Sequence, residues 1–302
     1  LAISRLVGLM KSICFFLFTC FTWTISSQTL YVLGTLQDGG SPHMGCEKLC
    51  CSDPKPQDFV SSLGVVGNEK SFIFDATPDV VSQTNFLKSK AAENTLEVFL
   101  THAHMGHYTG LMHLGREASN AQATAVYVMP KMRLFLEQNG PWSQLVTLKN
   151  ITLKPLVANQ SVVLEKYLKV TPIKVPHRDE YSETVGFIIQ GKNKKALYIP
   201  DIDKWSKWSV AIYELIKTVD YAFLDGTFYA DGELPRPMSE VPHPFVKETV
   251  ELIDSLPFDD RENVYFIRLN HTNPARNPDF QGRLENEKLG FHFAKFGQSF
   301  EL

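Results

Sequence analysis

The sequence predicts an α/β protein in which two mixed β-sheets pack on one another and helices cover them outside. Three observations predict this. Short apolar strands dominate the first and middle parts of the chain, with helical segments interspersed among them. The 302 residues are 44 % hydrophobic and 21 % charged and include 21 Phe, a globular composition with ample material for a packed interior. No internal repeat or low-complexity linker divides the chain, so one large domain is expected.

The elements follow in order. Residues 30–33 read as a first strand and 60–66 as a second. Gly67-Asn68 is a turn and 71–74 returns, which predicts a hairpin. Residues 78–90 carry helical spacing through Val80, Val81, Phe86 and Leu87. Residues 96–100 form a short buried strand that ends in Thr101-His102, and 123–129 form another, followed by a helix opened by Pro130. Residues 150–175 alternate in strand fashion in three pieces. Residues 185–189 and 196–199 pair around Gly191-Lys192-Asn193. An amphipathic helix at 208–217, a strand at 221–224, a helix at 244–255, a strand at 263–269 and a last strand at 291–296 complete the list.

The first 27 residues form a separate segment. Arg5 and Lys11 precede an apolar run of 13 residues, Ile13 to Ile25, which is short of the ~20 needed to span a bilayer. Small residues Ser26-Ser27 follow. A basic flank, a short apolar stretch and small residues describe a secretory signal peptide, with residues 1–9 lying upstream of a start at Met10. The expectation is an exported protein, periplasmic or extracellular, whose residues 28–302 form the mature domain with no stable membrane span.

Thirty Lys+Arg against 33 Asp+Glu give a net charge of −3, so nucleic acid is not expected as a partner. Three of the nine His fall within six residues, in Thr101-His102-Ala103-His104-Met105-Gly106-His107, directly after an apolar strand. In extended chain, residues 102 and 104 project to one side. Converging imidazoles suit a metal ion, whereas buried imidazoles without one are left unsatisfied. His177, Asp201 and His271 each follow a further apolar strand, through Pro176, Pro200 and Asn270. Ligands delivered from successive strand ends make a preorganised metal site.

The order His102, His104, His107, His177, Asp201, His271 resembles the metallo-β-lactamase superfamily, whose fold is an αββα sandwich with the metal site at one edge. The motif Thr-His-x-His-x-Asp-His is matched at residues 101–107 except at Gly106, which stands where the family has Asp. More narrowly, residues 32–40, 175–178, 224–228 and 270–274 resemble the PqqB-like family, the coenzyme PQQ synthesis protein B group. The resemblance implies that His102, His104 and His177 hold a first ion, that His107 and His271 hold a second, and that Asp201 bridges both. It implies that Asp75, at the end of strand 71–74, supports the site loop without binding metal. Gly106 predicts a weaker second site, which Asp at that position is expected to strengthen; Asp203 and Asp225 are neighbours that can compensate.

The implied chemistry is metal-assisted hydrolysis of a small-molecule ester, lactone or phosphodiester, with Asp201 and His271 as the catalytic candidates and zinc, manganese or iron as the ion. The alternative is a non-catalytic or redox metal-binding carrier on the same fold, concerned with pyrroloquinoline quinone. Arg178 is a lone phosphate-clamp candidate or a surface ion pair. Gly39-Gly40 reads as a tight turn that brings Asp38 or His43 to the pocket. Trp205, Trp208, Phe228 and Tyr229 are pocket-wall candidates or core residues. Cys46, Cys50 and Cys51 are open to a disulfide, to a structural zinc site with His43, or to free thiols. The oligomeric state is not legible.

Overall fold

A computed structural model describes residues 28–52, 58–178 and 180–302; the leader expected at residues 1–27 lies outside them. The strands are β1 Thr29–Gly34, β2 Ser62–Val66, β3 Lys70–Phe74, β4 Thr95–Phe99, β5 Thr124–Val128, β6 Ile151–Pro155, β7 Val162–Glu165, β8 Leu168–Lys174, β9 Val185–Gln190, β10 Lys195–Ile199, β11 Tyr221–Asp225, β12 Val264–Ile267, β13 His292–Phe293 and β14 Ser299–Glu301. They form two seven-stranded sheets, in the orders β14-β1-β2-β3-β4-β5-β6 and β13-β12-β11-β10-β9-β8-β7.

Both sheets are mixed, as expected. β1, β2 and β3 pair antiparallel, with Leu63 opposite Phe74 in the β2–β3 hairpin, and β3 to β6 are parallel. In the second sheet β7 to β10 are antiparallel and β10 to β13 parallel. These directions bring the C-terminal ends of β1, β3 and β4 to one edge of the first sheet. They bring those of β8, β10, β11 and β12 to one edge of the second.

The inner faces bury Leu30, Val65, Phe72, Phe74 and Phe99 against Phe187, Ile189, Tyr198 and Phe223. Phe74 stacks on Phe99 at 5.1 Å between ring centroids and meets Phe187 from the other sheet at 5.5 Å. The outer faces are covered separately. Helices Val80–Lys90, Pro130–Gln138 and Trp142–Thr147 bury Val80, Leu87, Met132, Leu136 and Leu145 on the first sheet. Helix Val246–Ile253 buries Val246, Val250 and Ile253 on the second. Each face therefore removes its apolar side chains from water, the dominant favourable term in folding.

Two sequence expectations change. The helix expected at 208–217 shortens to Ile212–Ile216, because the Trp208 indole is turned to donate to the Lys174 carbonyl at 3.0 Å. The last strand is only His292–Phe293, and a further strand, β14, follows it and pairs with β1. Among the described residues, no helix is long and apolar enough to cross a membrane.

Candidate metal centre

The site is assembled at the edge where the strand ends meet. β4 delivers Thr101, His102 and His104, and a one-turn helix, Met105–Tyr108, carries His107. β8 delivers His177, β10 Asp201, β11 Asp225 and β12 Arg268. Backbone ties fix these loops to one another. Asp203 N–H donates to Pro176 O at 2.7 Å, and Val185 N–H donates to Thr101 O at 3.1 Å across the sheets. Leu269 N–H donates to Thr35 O at 2.7 Å and Gln37 N–H to Leu269 O at 3.0 Å, which brings the loop after β1 beside the loop after β12.

His102, His104, His177 and Asp201 place one ligand atom each within 4.8 Å of one another. His104 Nδ1 lies 2.9 Å from His102 Nε2 and 3.2 Å from His177 Nε2. His102 Nε2 and His177 Nε2 lie 3.3 Å from Asp201 Oδ2 and Oδ1 respectively. A tetrahedral zinc site with bonds of ~2.0–2.1 Å separates its ligand atoms by about 3.3 Å, so the spacing fits an ion. Asp201 is buried, and although Arg268 Nη2 lies 2.7 Å from Oδ2 and His243 Nδ1 3.2 Å from Oδ1, neither oxygen receives a well-aligned hydrogen bond, so the carboxylate keeps lone pairs for an ion. Burial and the neighbouring His107 hold His102 well below its ordinary value, and burial also lowers His104, so both are kept neutral as metal ligation requires.

The nitrogens turned away from this centre are held. His102 Nδ1 meets Thr101 Oγ1 at 2.9 Å, His177 Nδ1 meets Asp203 Oδ1 at 3.1 Å, and His104 Nε2 meets Glu180 at 3.2 Å. Such partners fix the tautomer and ring orientation of a ligand. Lys207 closes the His177–Asp203 chain at 2.8 Å.

Beside this set lies a strongly charged half. His107 Nδ1 faces Asp75 Oδ2 at 2.7 Å, and its Nε2 lies 3.3 Å from Asp38 Oδ1 and 3.7 Å from Asp201 Oδ2. Burial opposes its charge, but the Asp75 and Asp38 carboxylates outweigh burial and push His107 up to about 10. Arg268 contacts Asp38 at 2.9 Å and Asp201 at 2.7 Å. Burial would raise both carboxyls, yet Arg268, followed by His107 for Asp38 and by His177 and His243 for Asp201, holds them below the usual carboxylate range. His243 Nδ1 lies 2.9 Å from Asp225 Oδ2 and 3.2 Å from Asp201 Oδ1; Asp225 and Asp201 overcome burial and raise it.

One expectation follows for the metal-free protein. The folded protein keeps the His107 proton to about pH 10, whereas the unfolded chain releases it near 6.5. The stabilisation is full below pH 6.5 and is lost as pH climbs from there to about 10, at most about 5 kcal/mol. Urea midpoints at pH 6, 8 and 10 should fall for the wild type more steeply than for His107→Gln; parallel curves would contradict the shift.

Residues 70–267 match the Beta-lactamase superfamily domain. The chain belongs to the metallo-β-lactamase superfamily. Coenzyme PQQ synthesis protein B of Cupriavidus necator is 22 % identical over 312 residues, which cover 91 % of this chain and 99 % of that protein. Zinc-bound PqqB from Methylobacterium extorquens superimposes with a TM-score of 0.76 at 20 % identity, over 91 % of this chain and 100 % of that one. A diphosphatase of the PhnP family follows with a TM-score of 0.64 at 21 % identity, over 91 % and 98 %. The chain thus has the superfamily's two-sheet sandwich and is similar to PqqB along most of its length.

The superfamily's site positions are met unevenly. His102, His104, His177 and Asp201 come together, and His107 sits next to them. His271 does not join them. It groups with Cys46 and Cys51 and stacks on His43 at 4.2 Å between ring centroids. The reason lies in β12: Arg268, with φ 65, is the side chain that enters the site, and the bonds of Leu269 to Thr35 and Gln37 lead the chain away. The assignment of His271 as a catalytic, second-ion residue is therefore corrected to the cysteine cluster. Its place beside Asp201 is filled by His243 and Arg268, which the sequence reading missed. His243 sits between Pro242 and Pro244 with no strand before it, and Arg268 reads as an ordinary strand-end charge.

Gly106 gives a second correction. A Cβ there would lie 2.6 Å from Asp38 Oδ1, so Asp38 already fills the space of the expected Asp, and Gly106→Asp has no room to act as expected. Asp203 and Asp225 do not compensate for Gly106; they orient His177 and His243. Gly39-Gly40 does form a turn, with Gly40 N–H donating to Gln37 O at 2.8 Å. Asp75 binds Thr101 and His107, the supporting part expected of it. Arg178 pairs with Glu180 at 3.7 Å on the surface. Trp205, Trp208, Phe228 and Tyr229 pack into apolar clusters. Cys46, Cys50 and Cys51 are free thiols, with Cys46 and Cys50 Sγ 4.0 Å apart, so no disulfide joins them.

Proposed function

We propose that the chain is a metal-dependent hydrolase acting on an ester, lactone or phosphodiester of a small molecule. The observation that carries this reading is the set of His102 Nε2, His104 Nδ1, His177 Nε2 and the Asp201 carboxylate, two of its residues buried and two half-buried, whose spacing suits a divalent ion. Zinc, manganese and iron all suit imidazole and carboxylate donors, and such an ion, when bound, supplies an activated water near neutral pH and polarises a substrate oxygen. The protein does the rest. Thr101, Asp203 and Glu180 hold the three imidazoles in orientation. His243, with Nδ1 committed to Asp225 and Asp201, has Nε2 left to deliver a proton to a leaving oxygen.

The test is hydrolysis of generic phosphodiester, lactone and β-lactam substrates by the zinc-loaded protein. In this reading His243→Gln lowers kcat by about 10²–10⁴-fold without changing the metal content. The variant also loses the alkaline limb of the rate profile, where the wild type loses the His243 proton. A variant with unchanged kcat would remove His243 from proton transfer.

A second reading, a metal-binding or redox carrier that handles pyrroloquinoline quinone without turnover, is favoured by the similarity to coenzyme PQQ synthesis protein B along 91 % of the chain. One bound ion, binding of the quinone and no hydrolysis would select it. Export is the proposal for localisation, supported by the basic and apolar pattern of residues 5–27 alone; N-terminal sequencing of the protein recovered outside the cytoplasm tests it.

A further inference from the structure

The charged half of the site has the composition of a second ion site. Asp38, His107 and Asp201 bring two carboxylate oxygens and one imidazole nitrogen within 4.8 Å of one another. His107 Nε2 is buried and makes no well-aligned hydrogen bond, with Asp38 Oδ1 at 3.3 Å and Asp201 Oδ2 at 3.7 Å. A cation already stands among these groups. Arg268 Nη2 lies 2.9 Å from Asp38 Oδ1 and 2.7 Å from Asp201 Oδ2; Nε adds a 3.1 Å bond to Asp38 Oδ1, and Nη1 donates to Thr227 Oγ1 at 2.9 Å. The side chain is 3 % exposed, so the guanidinium is enclosed by its acceptors. The backbone at Arg268 is left-handed, φ 65, a conformation that a non-glycine residue keeps only where surrounding contacts over-determine it.

Position 106 completes the pattern. A side chain there would run into Asp38, whose Cβ and Oδ1 both lie 2.6 Å from where a Cβ would stand. The carboxylate that the superfamily motif places at position 106 therefore comes in this chain from the loop after β1, and the group that pairs with it is a guanidinium.

We propose that Arg268 takes the place of the second metal ion, so that the centre formed by His102, His104, His177 and Asp201 works with a single ion. This deepens the metallohydrolase reading and rests on it for that ion. The steric argument is direct. An ion bonded to both Asp38 and Asp201 at ~2.0–2.2 Å would overlap Nη2, which touches the same two oxygens, so the second ion and Arg268 exclude each other. Arg is charged at every accessible pH and its planar fork suits two carboxylates at once. It supplies Asp201 with a permanent positive neighbour that no chelator removes.

Manganese(II) is the probe, because carboxylate and imidazole donors suit it and thiolates do not, which leaves the cysteine cluster out of the count. Ions per chain are measured after equilibrium dialysis, and electron paramagnetic resonance shows whether two ions share a carboxylate through their spin coupling. The wild type should bind one uncoupled ion, and Arg268→His should bind one more, with a coupled spectrum. A coupled pair in the wild type overturns the proposal and leaves the hydrolase reading intact. A folded Arg268→His protein that stays at one ion overturns it as well. Should Arg268→His not fold, the wild type decides the matter: raised to saturating manganese, a coupled signal refutes the proposal and a single uncoupled ion upholds it. A wild type that binds no ion overturns the donor-set reading itself.

Discussion

His177→Ala should strip the ion from the centre and abolish hydrolysis while leaving the sheets intact. His177 is the only imidazole of the four-donor set contributed by the second sheet, and its Nε2 closes the set at 3.2 Å from His104 and 3.3 Å from Asp201. Without it the donors are two imidazoles from one loop and one carboxylate. A useful scale is Asp203→Ala, which removes only the partner of His177 Nδ1 and is expected to cost roughly 10–100-fold in metal affinity or activity. His177→Ala should exceed that loss in both. Elemental analysis and kcat/KM, measured on the two variants side by side, check the ranking. Equal or smaller losses for His177→Ala would remove it from the ligand set.

Asp75→Ala should be the most destabilising single change near the site. Asp75 is fully buried, with φ 73, and its carboxylate accepts from Thr101 N–H at 2.8 Å, from Thr101 Oγ1 at 2.9 Å and from His107 Nδ1 at 2.7 Å. Its removal orphans these donors, strands the charge on His107 and places Ala in a left-handed conformation. Breaking a buried pair in this way costs about 3–5 kcal/mol, equivalent to roughly 10 °C in Tm for a domain of this size. Asp75→Asn keeps the shape and tolerates the left-handed backbone, so it should fall between the two. Thermal melts of the metal-free proteins measure this, and a loss for Asp75→Ala below about 1 kcal/mol, the size of an ordinary substitution, would show that the loop is anchored elsewhere.

The single-ion proposal gives these variants a common frame. Asp201 borders the ligand imidazoles, His243 and Arg268 alike, so changes on either side of it reach the other through one carboxylate. Substitutions at Arg268 and His177 are therefore expected to be non-additive, as for residues in one network.

Much of this protein was legible in the chain itself, for local reasons. Short apolar runs and the Gly67-Asn68 turn predicted β1 to β3, period-two alternation predicted the strands within 150–175, and Pro130 marked its helix. Helix or strand type follows from which face a segment must bury. His102 and His104 were legible because two imidazoles directly after an apolar strand have no ordinary structural use. β14 was not legible. Ser299–Glu301 is three residues long and is a strand only because β1 offers it an unpaired edge.

The sequence by itself determined the layers, the edge at which the strands end and four of the donors that gather there. The tertiary structure decided which side chain enters the site from each loop. His271 and Arg268 are three residues apart, and one left-handed residue with two backbone bonds to the loop after β1 sends Arg268 inward and His271 to the cysteines. Asp38 and Gly106 are far apart in sequence, and only folding shows that one fills the space of the other. Strand patterns follow from burial, which each residue type reports locally; the partner of a buried charge is set by loop paths that no local pattern encodes.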